Sequence, residues 1–446
     1  MVIARRGKLH ELQTEWARKY GPIVRIAPNE VLITSVSAID IIHGPRSTAT
    51  KQHTFYDYMQ YHGVHDLDSI HDRREHRARR KVWDLALSNK NMDLYELNAR
   101  ESIHVWLDKA STAAVGQDPL NLSLYMSLLP FDNMTRTGFS VDSGAVKLGT
   151  KNRLIHLIEA PFARIAASAH STWPWSLMKK LRLLEKGQFN SASYEICLAR
   201  ENNSSDPKDI MEYFLDDFRS DQPKAFHDRH TVYADAQAIM VGGTGTLSAL
   251  LTHCFYYLAR SPAMRNQLRQ ELAPVFGKSC PGEFDYKDLI SLPCLDSVVS
   301  ETLRMHSPAC NNGPRTTTED TNIEGTVLPK DVVVYVGIHS IQRSPKYFVC
   351  PDEWKPERWT TRQDLILDKQ AYHPFLKGPF SCVGKSLALM VAKLVLSYTI
   401  SLYDFEFPPG GDGSSFLSGC KNQLIVKPGK LECVFTRLRP SSEKEK

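Results

Sequence analysis

The chain has 446 residues, 42% of them apolar, which is ample for a sizeable core and excludes global disorder. Its 55 basic and 50 acidic residues leave a formal net charge of +5, too small for nucleic acid to be the default partner. Nine cysteines, an odd number without a C-x-x-C pair, argue against a disulfide framework and indicate a reducing compartment.

The N-terminus, M-V-I-A-R-R-G, offers no apolar signal core and no run able to span a bilayer. Lys8 to Tyr20 is amphipathic at helical spacing and ends at Gly21-Pro22. Ile23 to Thr34 alternates as a β-hairpin turning at Pro28-Asn29, and Ala38 to His43 reads as a short helix. Residues 50–72 are polar, aromatic and histidine-rich and are expected to form a mobile, solvated loop. The spacing of His62, His65, His71 and His76 fits no standard metal pattern. His76 to Leu87 is a basic helix, and residues 93–140 are helical with breaks at Asn121-Leu-Ser and Leu129-Pro130. Between Leu154 and Glu201 a helix, a Trp173-Pro-Trp175 interruption and a second helix follow, then a surface loop from Asn202 to Pro207.

Tyr233 to Arg260 is an unusually long helical pattern stopped by Ser261-Pro262. Helices over Pro262–Phe276 and Cys294–His306 precede a β-like stretch at residues 315–345. Leu387 to Tyr403, interrupted by Lys393, is expected to be a core helix rather than a span, and the tail after Pro440 is expected to be disordered. Gly243-Thr-Gly245-Thr-Leu-Ser lacks the third glycine and the flanking βαβ pattern of a dinucleotide fingerprint, and no Walker A motif occurs.

The most informative stretch is Phe375 to Gly384, F-L-K-G-P-F-S-C-V-G. It sets Cys382 on a tight loop entering a helix, where backbone N–H groups and the helix dipole favour a thiolate. The plainer reading is a small buried cysteine. The spacing F-x-x-G-x-x-x-C-x-G followed by Lys-Ser-Leu-Ala, however, closely resembles the cysteine-ligand loop of the cytochrome P-450 haem-thiolate enzymes, and the resemblance extends over essentially the whole chain. It implies a mainly α fold with small β-sheets, in which haem b lies between the long central helix and the cysteine-loop helix. Cys382 would be the axial iron ligand, with Phe375, Gly378 and Gly384 shaping its loop. A single domain over 1–440 is implied, β-rich at about 20–50 and 315–345, with 441–446 a disordered tail.

Glu301 and Arg304 lie one helical turn apart, and alone an E-x-x-R pair is ordinarily a surface ion pair. With Pro356-Glu-Arg358-Trp359 the pair resembles the family's network in which Arg358 joins Glu301 and Arg304 behind the haem-ligand segment. Gly242 and Gly243 inside the long helix read either as close helix packing or, by resemblance, as a groove for dioxygen. Thr246 matches the threonine that helps protonate iron-bound oxygen, whereas Gly245 stands where the family usually has an acid, so a proton must come by another route. His76, Arg80 and Arg315 match propionate contacts. Phe380 replaces the usual arginine or histidine two residues before the cysteine, which implies one lost propionate contact and weaker haem retention.

The resemblance, with a fungal flavour in the opening helix and hairpin, implies a monooxygenase acting on an apolar small molecule, a terpenoid or polyketide of secondary metabolism. Dioxygen and an NADPH-dependent cytochrome reductase would be partners, the latter docking through Lys377, Lys385, Arg79 and Lys81. Membrane association would come only through an anchor that this chain lacks. Location would be the cytosolic face of the endoplasmic reticulum if a longer product carries one, and the cytoplasm otherwise. Isomerisation, dehydration or cyclisation on the same haem, or haem binding without turnover, are the alternatives. Pocket walls are expected at residues 55–70, 160–200, 239–246, 307–313 and Phe416–Leu417.

Overall fold

The computed structural model describes residues 6–61, 63–158, 188–203, 208–310 and 313–438. His62, the Trp173-Pro-Trp175 interruption and most of the 160–200 pocket wall lie outside the described residues. So do the end of the 202–207 loop, positions 311–312 and the tail beyond Pro440.

Helix α1 (Leu9–Tyr20) leads into the antiparallel hairpin β1 (Ile23–Ala27) and β2 (Glu30–Ile33), as the alternation predicts. A short helix, α2 (Val36–Ala38), continues as a π turn over Ile39–His43. The stretch expected to be a solvated loop is instead structured: strand β3 (Thr50–Lys51) and helix α3 (His53–Tyr56) precede a run whose Asp66, Leu67, Ser69 and Ile70 are buried. Its polar groups are satisfied internally, which composition could not reveal. The backbone N–H of Leu67 donates to Asp235 Oδ1 at 2.7 Å, and Asp66 and Ser69 bond each other.

The basic helix is α4 (Arg73–Ala86), capped by the Asp72 carboxylate on the backbone N–H groups of Arg74 and Glu75. It is followed by α5 (Asn89–Gly116), β4 (Leu120–Asn121) and α6 (Leu122–Phe139). Pro130 lies inside α6 rather than breaking it, at the loss of one backbone bond. Helices α7 (Gln188–Glu201), α8 (Ile210–Arg219), the central α9 (Arg229–Arg260), α10 (Pro262–Leu272) and α11 (Pro293–Met305) come next.

Strands β5 (Arg315–Thr316), β6 (Thr321–Ile323), β7 (Thr326–Leu328) and β8 (Val333–Val336) follow, after which Ile338–Gln342 is a helix, α12, and not a continuation of strand. The long apolar helix α13 (Lys385–Leu402) precedes β9 (Tyr403–Glu406), β10 (Lys421–Gln423), β11 (Ile425–Lys427) and β12 (Glu432–Arg437).

The larger sheet has the order β1-β2-β8-β5-β3, with β2 and β8 parallel and the other pairs antiparallel. Its far edge brings Lys51 opposite Arg315. One apolar cluster packs α4, α5, α6, α9 and α13 together, which is why α9 and α13, apolar enough to cross a membrane, are core helices here. Helices α6 and α9 run antiparallel in close contact, Gly243 against Met134 and Gly138 against Ile239.

Candidate active site

Helix α9 is buried almost throughout, yet in its middle Ala238, Val241, Gly242, Gly245 and Thr246 remain accessible, with Gly243 partly so beside them. These positions recur at three- and four-residue spacing and therefore share one face. Thr246 Oγ1 donates to Gly242 O at 2.5 Å, so its lone pairs stay free to accept. Among the described residues a Cβ on Gly242 would meet nothing within 4 Å, whereas one on Gly243 would lie 2.1 Å from Met134 Sδ. The packing reading therefore holds for Gly243, and the open glycine is Gly242. At Gly245 a Cβ would touch only Ile425, at 3.4 Å, which is ordinary contact. An acid is missing there for no reason of space at the backbone.

The cysteine loop is shaped by backbone constraints. Gly378 has φ +74°, and a Cβ on it would fall 2.2 Å from His43 O, so only glycine fits. Cys382 N donates to Phe375 O at 2.9 Å and Ser381 N to Gly378 O at 3.0 Å, closing the bend before α13. The Cys382 side chain is accessible, although the surrounding protein is dense enough that burial is the largest influence on its thiol and pushes it up. Both hold if the sulfur borders internal open space. The Gly384 N–H, Arg80 and Lys385 oppose the effect of burial. A Cβ on Gly384 would meet only the sulfur, at 4.0 Å, so glycine keeps that side clear.

Behind the loop, Glu301, Arg304 and Arg358 are each fully buried. Glu301 Oε1 accepts from Arg304 Nη2, Lys355 N and Arg358 Nε, all at 2.9 Å. Its Oε2 accepts from Arg304 Nε at 2.9 Å and Trp359 Nε1 at 3.0 Å. The remaining guanidinium N–H groups meet carbonyls of Gln342, Val349, Cys350, Pro351, Glu353 and Leu365. The sequence motif contains Trp359 but does not show its part in this network: its indole N–H is a donor that phenylalanine would lack.

The basic groups are arranged differently from expectation. Arg79 is buried on Asp235 and Glu75 and cannot form a docking surface, and Lys377 pairs with Asp40. Arg74, Arg77, Lys81 and Lys385 are the exposed cations of α4 and the α13 terminus. Arg80 Nη1 donates to Ser381 O at 2.7 Å, tying α4 to the cysteine loop. His76 packs its ring on Phe380 at 4.5 Å, and burial, then Lys51 and Arg80, hold its imidazole down at about 3. Of the other loop histidines, His65 and His71 both face Asp57 Oδ1, at 3.3 and 3.0 Å, and His53 stacks on His71.

Around Phe380 stand three cations: Lys51 Nζ at 4.7 Å, the Arg315 guanidinium at 5.2 Å and that of Arg73 at 6.0 Å from the ring centroid. Arg315 Nη1 donates to Tyr56 Oη at 2.5 Å and Gly313 O at 2.8 Å, while its buried Nε has no partner among the described residues. Sequence reasoning missed Lys51, because nothing in a two-residue strand announces its neighbour. It also misplaced a pocket wall. Phe416 is fully buried against His253 and Tyr256, whereas the β10–β11 turn puts Leu424 on Phe55 and Tyr56 and Ile425 on Gly245. A shallow cleft of about 380 Å³ between α4 and residues 224–231 is lined by Arg74 and Arg79 and includes neither Cys382, Phe380 nor Thr246.

A family model described as Cytochrome P450 matches residues 1–435. Tryprostatin B 6-hydroxylase of Aspergillus fumigatus is 29% identical over 96% of this chain and 76% of its own length. Cytochrome P450 monooxygenase sthD of Phaeosphaeria nodorum is 28% identical over 96% of this chain and 90% of its own. Cytochrome P450 monooxygenase notG' of Aspergillus versicolor is 30% identical, with 96% and 77% covered. With its accessible buried cysteine, its opened central helix and a family match over nearly its whole length, the chain belongs to the cytochrome P450 family.

Proposed function

We propose that this chain inserts one oxygen atom into an apolar small molecule, by hydroxylation or epoxidation, in fungal secondary-metabolite biosynthesis, with Cys382 as the axial ligand of its haem. Family membership makes it an oxygen-incorporating oxidoreductase carrying haem on a cysteine thiolate. The observation that carries the assignment is the Cys382 side chain, accessible although deep in the fold, on a bend closed by Gly378 and kept clear by Gly384. The residues fit haem in charge as well. Lys51, Arg73 and Arg315 converge on Phe380 without a carboxylate within 4.0 Å among the described residues, which suits anionic propionates.

Haem supplies the redox chemistry, reducing dioxygen with two electrons and two protons so that one atom enters the substrate and the other leaves as water. The chain's own residues bind, orient and pass protons. Cys382 would hold the iron, and Gly242 keeps the accessible face of α9 open. Thr246, its hydroxyl proton committed to Gly242 O, accepts from a water and steadies it. Gly245 brings no carboxylate, so protons arrive through water held by Thr246. Arg315 and His76 serve the propionates, and Arg80 steadies the cysteine loop. Ile425, Leu424 and the accessible α9 face form the apolar wall. Glu301, Arg304 and Arg358 have a structural part, holding the segment that leads to Cys382.

The electron donor is an NADPH-dependent reductase at the cytosolic face of the endoplasmic reticulum, docking on Arg74, Arg77, Lys81 and Lys385. Charge reversal at Arg77, Lys81 and Lys385 together should slow reduction and flatten its salt dependence; unchanged kinetics would remove that surface. The reaction itself is tested with isotopically labelled dioxygen, reductase, NADPH and a panel of apolar terpenoid and polyketide scaffolds. Label in the product, in step with NADPH consumed, is expected. Product that forms without label or NADPH would overturn the reading.

A further inference from the structure

Strands β3 and β5 pair antiparallel, and their register sets Lys51 directly opposite Arg315. Opposite residues of such a pair share one face, and like charges there destabilise the sheet. Both side chains are nearly inaccessible, at 1% and 2%. Among the described residues Lys51 Nζ has one hydrogen-bond partner, the neutral Leu67 O at 3.1 Å, and otherwise lies over the rings of Phe380 and Tyr56. Arg73, the next nearest cation, donates to Ala49 O at 2.6 Å. Among the described residues none of the three has a carboxylate within 4.0 Å, although Asp66, Asp68 and Asp235 act on Lys51 from further away. Burial lowers the Lys51 ammonium to about 8, with Arg315 adding to that effect and Asp68 opposing it. A buried cation pair with this surplus calls for an anion at Phe380.

We propose that Lys51 binds a haem propionate in the place of the loop cation that Phe380 has replaced, so that the edge of the sheet rather than the cysteine loop supplies this charge. The proposal rests on the reading that haem sits on Cys382. Phe380 then has a definite part: its ring packs over the ammonium and guanidinium groups and keeps water from them. Haem retention is therefore undiminished, contrary to what Phe380 alone implies.

The test is the rate of haem transfer from the ferric holoprotein to an excess of a haem-scavenging apoprotein, with Lys51→Met, Lys51→Arg, Phe380→Arg and the Lys51→Met/Phe380→Arg double variant. Lys51→Met should lose haem about tenfold or more faster, the factor expected when one charge-assisted hydrogen bond goes. Its iron midpoint potential should also fall, because a cation near the haem is gone. Lys51→Arg should retain the wild-type rate, which separates charge from packing. Phe380→Arg should bring no gain in the wild-type background and should restore retention in the Lys51→Met background. Wild-type retention and potential in Lys51→Met, or slower haem loss on Phe380→Arg alone, would overturn the proposal. The carbon monoxide spectrum of each reduced variant separates the two failures. A thiolate signature with unchanged haem loss sinks only Lys51, whereas its absence in the wild type sinks the reading on which it rests.

Discussion

Replacing Glu301 by glutamine exchanges a single oxygen for an NH2 group and leaves the shape of the side chain intact, so its effect measures the charge network alone. The carboxylate accepts five hydrogen bonds, three from guanidinium groups, at a site with no solvent access. An amide retains one acceptor oxygen. If its nitrogen takes the Oε2 position, the N–H groups of Arg304 Nε and Trp359 Nε1 face another donor; the other orientation strands three donors. Either way two buried guanidinium groups lose the one carboxylate that they have among the described residues. Breaking a buried pair in this manner costs about 3–5 kcal/mol, a third or more of the stability of an ordinary domain. Trp359→Phe removes a single bond to a charged acceptor and should cost less, about 1.5–3 kcal/mol. Urea unfolding followed by far-UV circular dichroism ranks the two, and haem content reports whether the segment before the cysteine loop is still held. A Glu301→Gln variant within about 1 kcal/mol of wild type, or one less affected than Trp359→Phe, would refute the reasoning.

Neighbouring glycines of α9 should respond with opposite sign. Gly243→Ala drives a methyl into Met134 and should destabilise by about 1–3 kcal/mol, whereas Gly242→Ala meets nothing among the described residues and should gain up to about 1 kcal/mol in helix propensity, both read by thermal unfolding. Gly245→Asp should fold normally and raise the fraction of NADPH used productively, measured as product formed against peroxide released, because it places an acid beside Thr246. Stability should fall on acidification below about pH 6.5. Burial holds His253 down at about 4 and His306 well below its ordinary range, so the unfolded chain binds these protons first. The contribution of His253 alone, about 3 kcal/mol, is present above pH 6.5 and disappears as pH falls toward 4, as unfolding midpoints across that range will show.

What the sequence made legible was whatever depends on short spacing. The loop from Phe375 to Gly384, the E-x-x-R turn and Pro356 to Trp359 are local patterns, and the structure brings the last two together around Glu301. The length of α9 was equally plain from its apolar run. What stayed hidden depends on chain-distant pairing. Residues 50–72 have no period, and only the carboxylate of Asp235, from α9, explains why Leu67 and its neighbours are buried there. Lys51 gains its meaning from Arg315, more than two hundred and fifty residues away, through a ladder two residues long. Gly242 and Gly243 look alike in sequence, and only the position of Met134 tells the packing glycine from the open one. Phe416 reads as a pocket wall in sequence because an aromatic next to a loop carries no mark of which side it faces, and the fold buries it completely.

The most direct measurement is the carbon monoxide difference spectrum of the reduced protein, taken for wild type and Cys382→His. The long-wavelength Soret band characteristic of a thiolate ligand is expected in the wild type and should vanish in the variant. A wild-type band at the position typical of imidazole-ligated haem, or a thiolate band that survives the loss of Cys382, would contradict the assignment of the sulfur on which the active site is built.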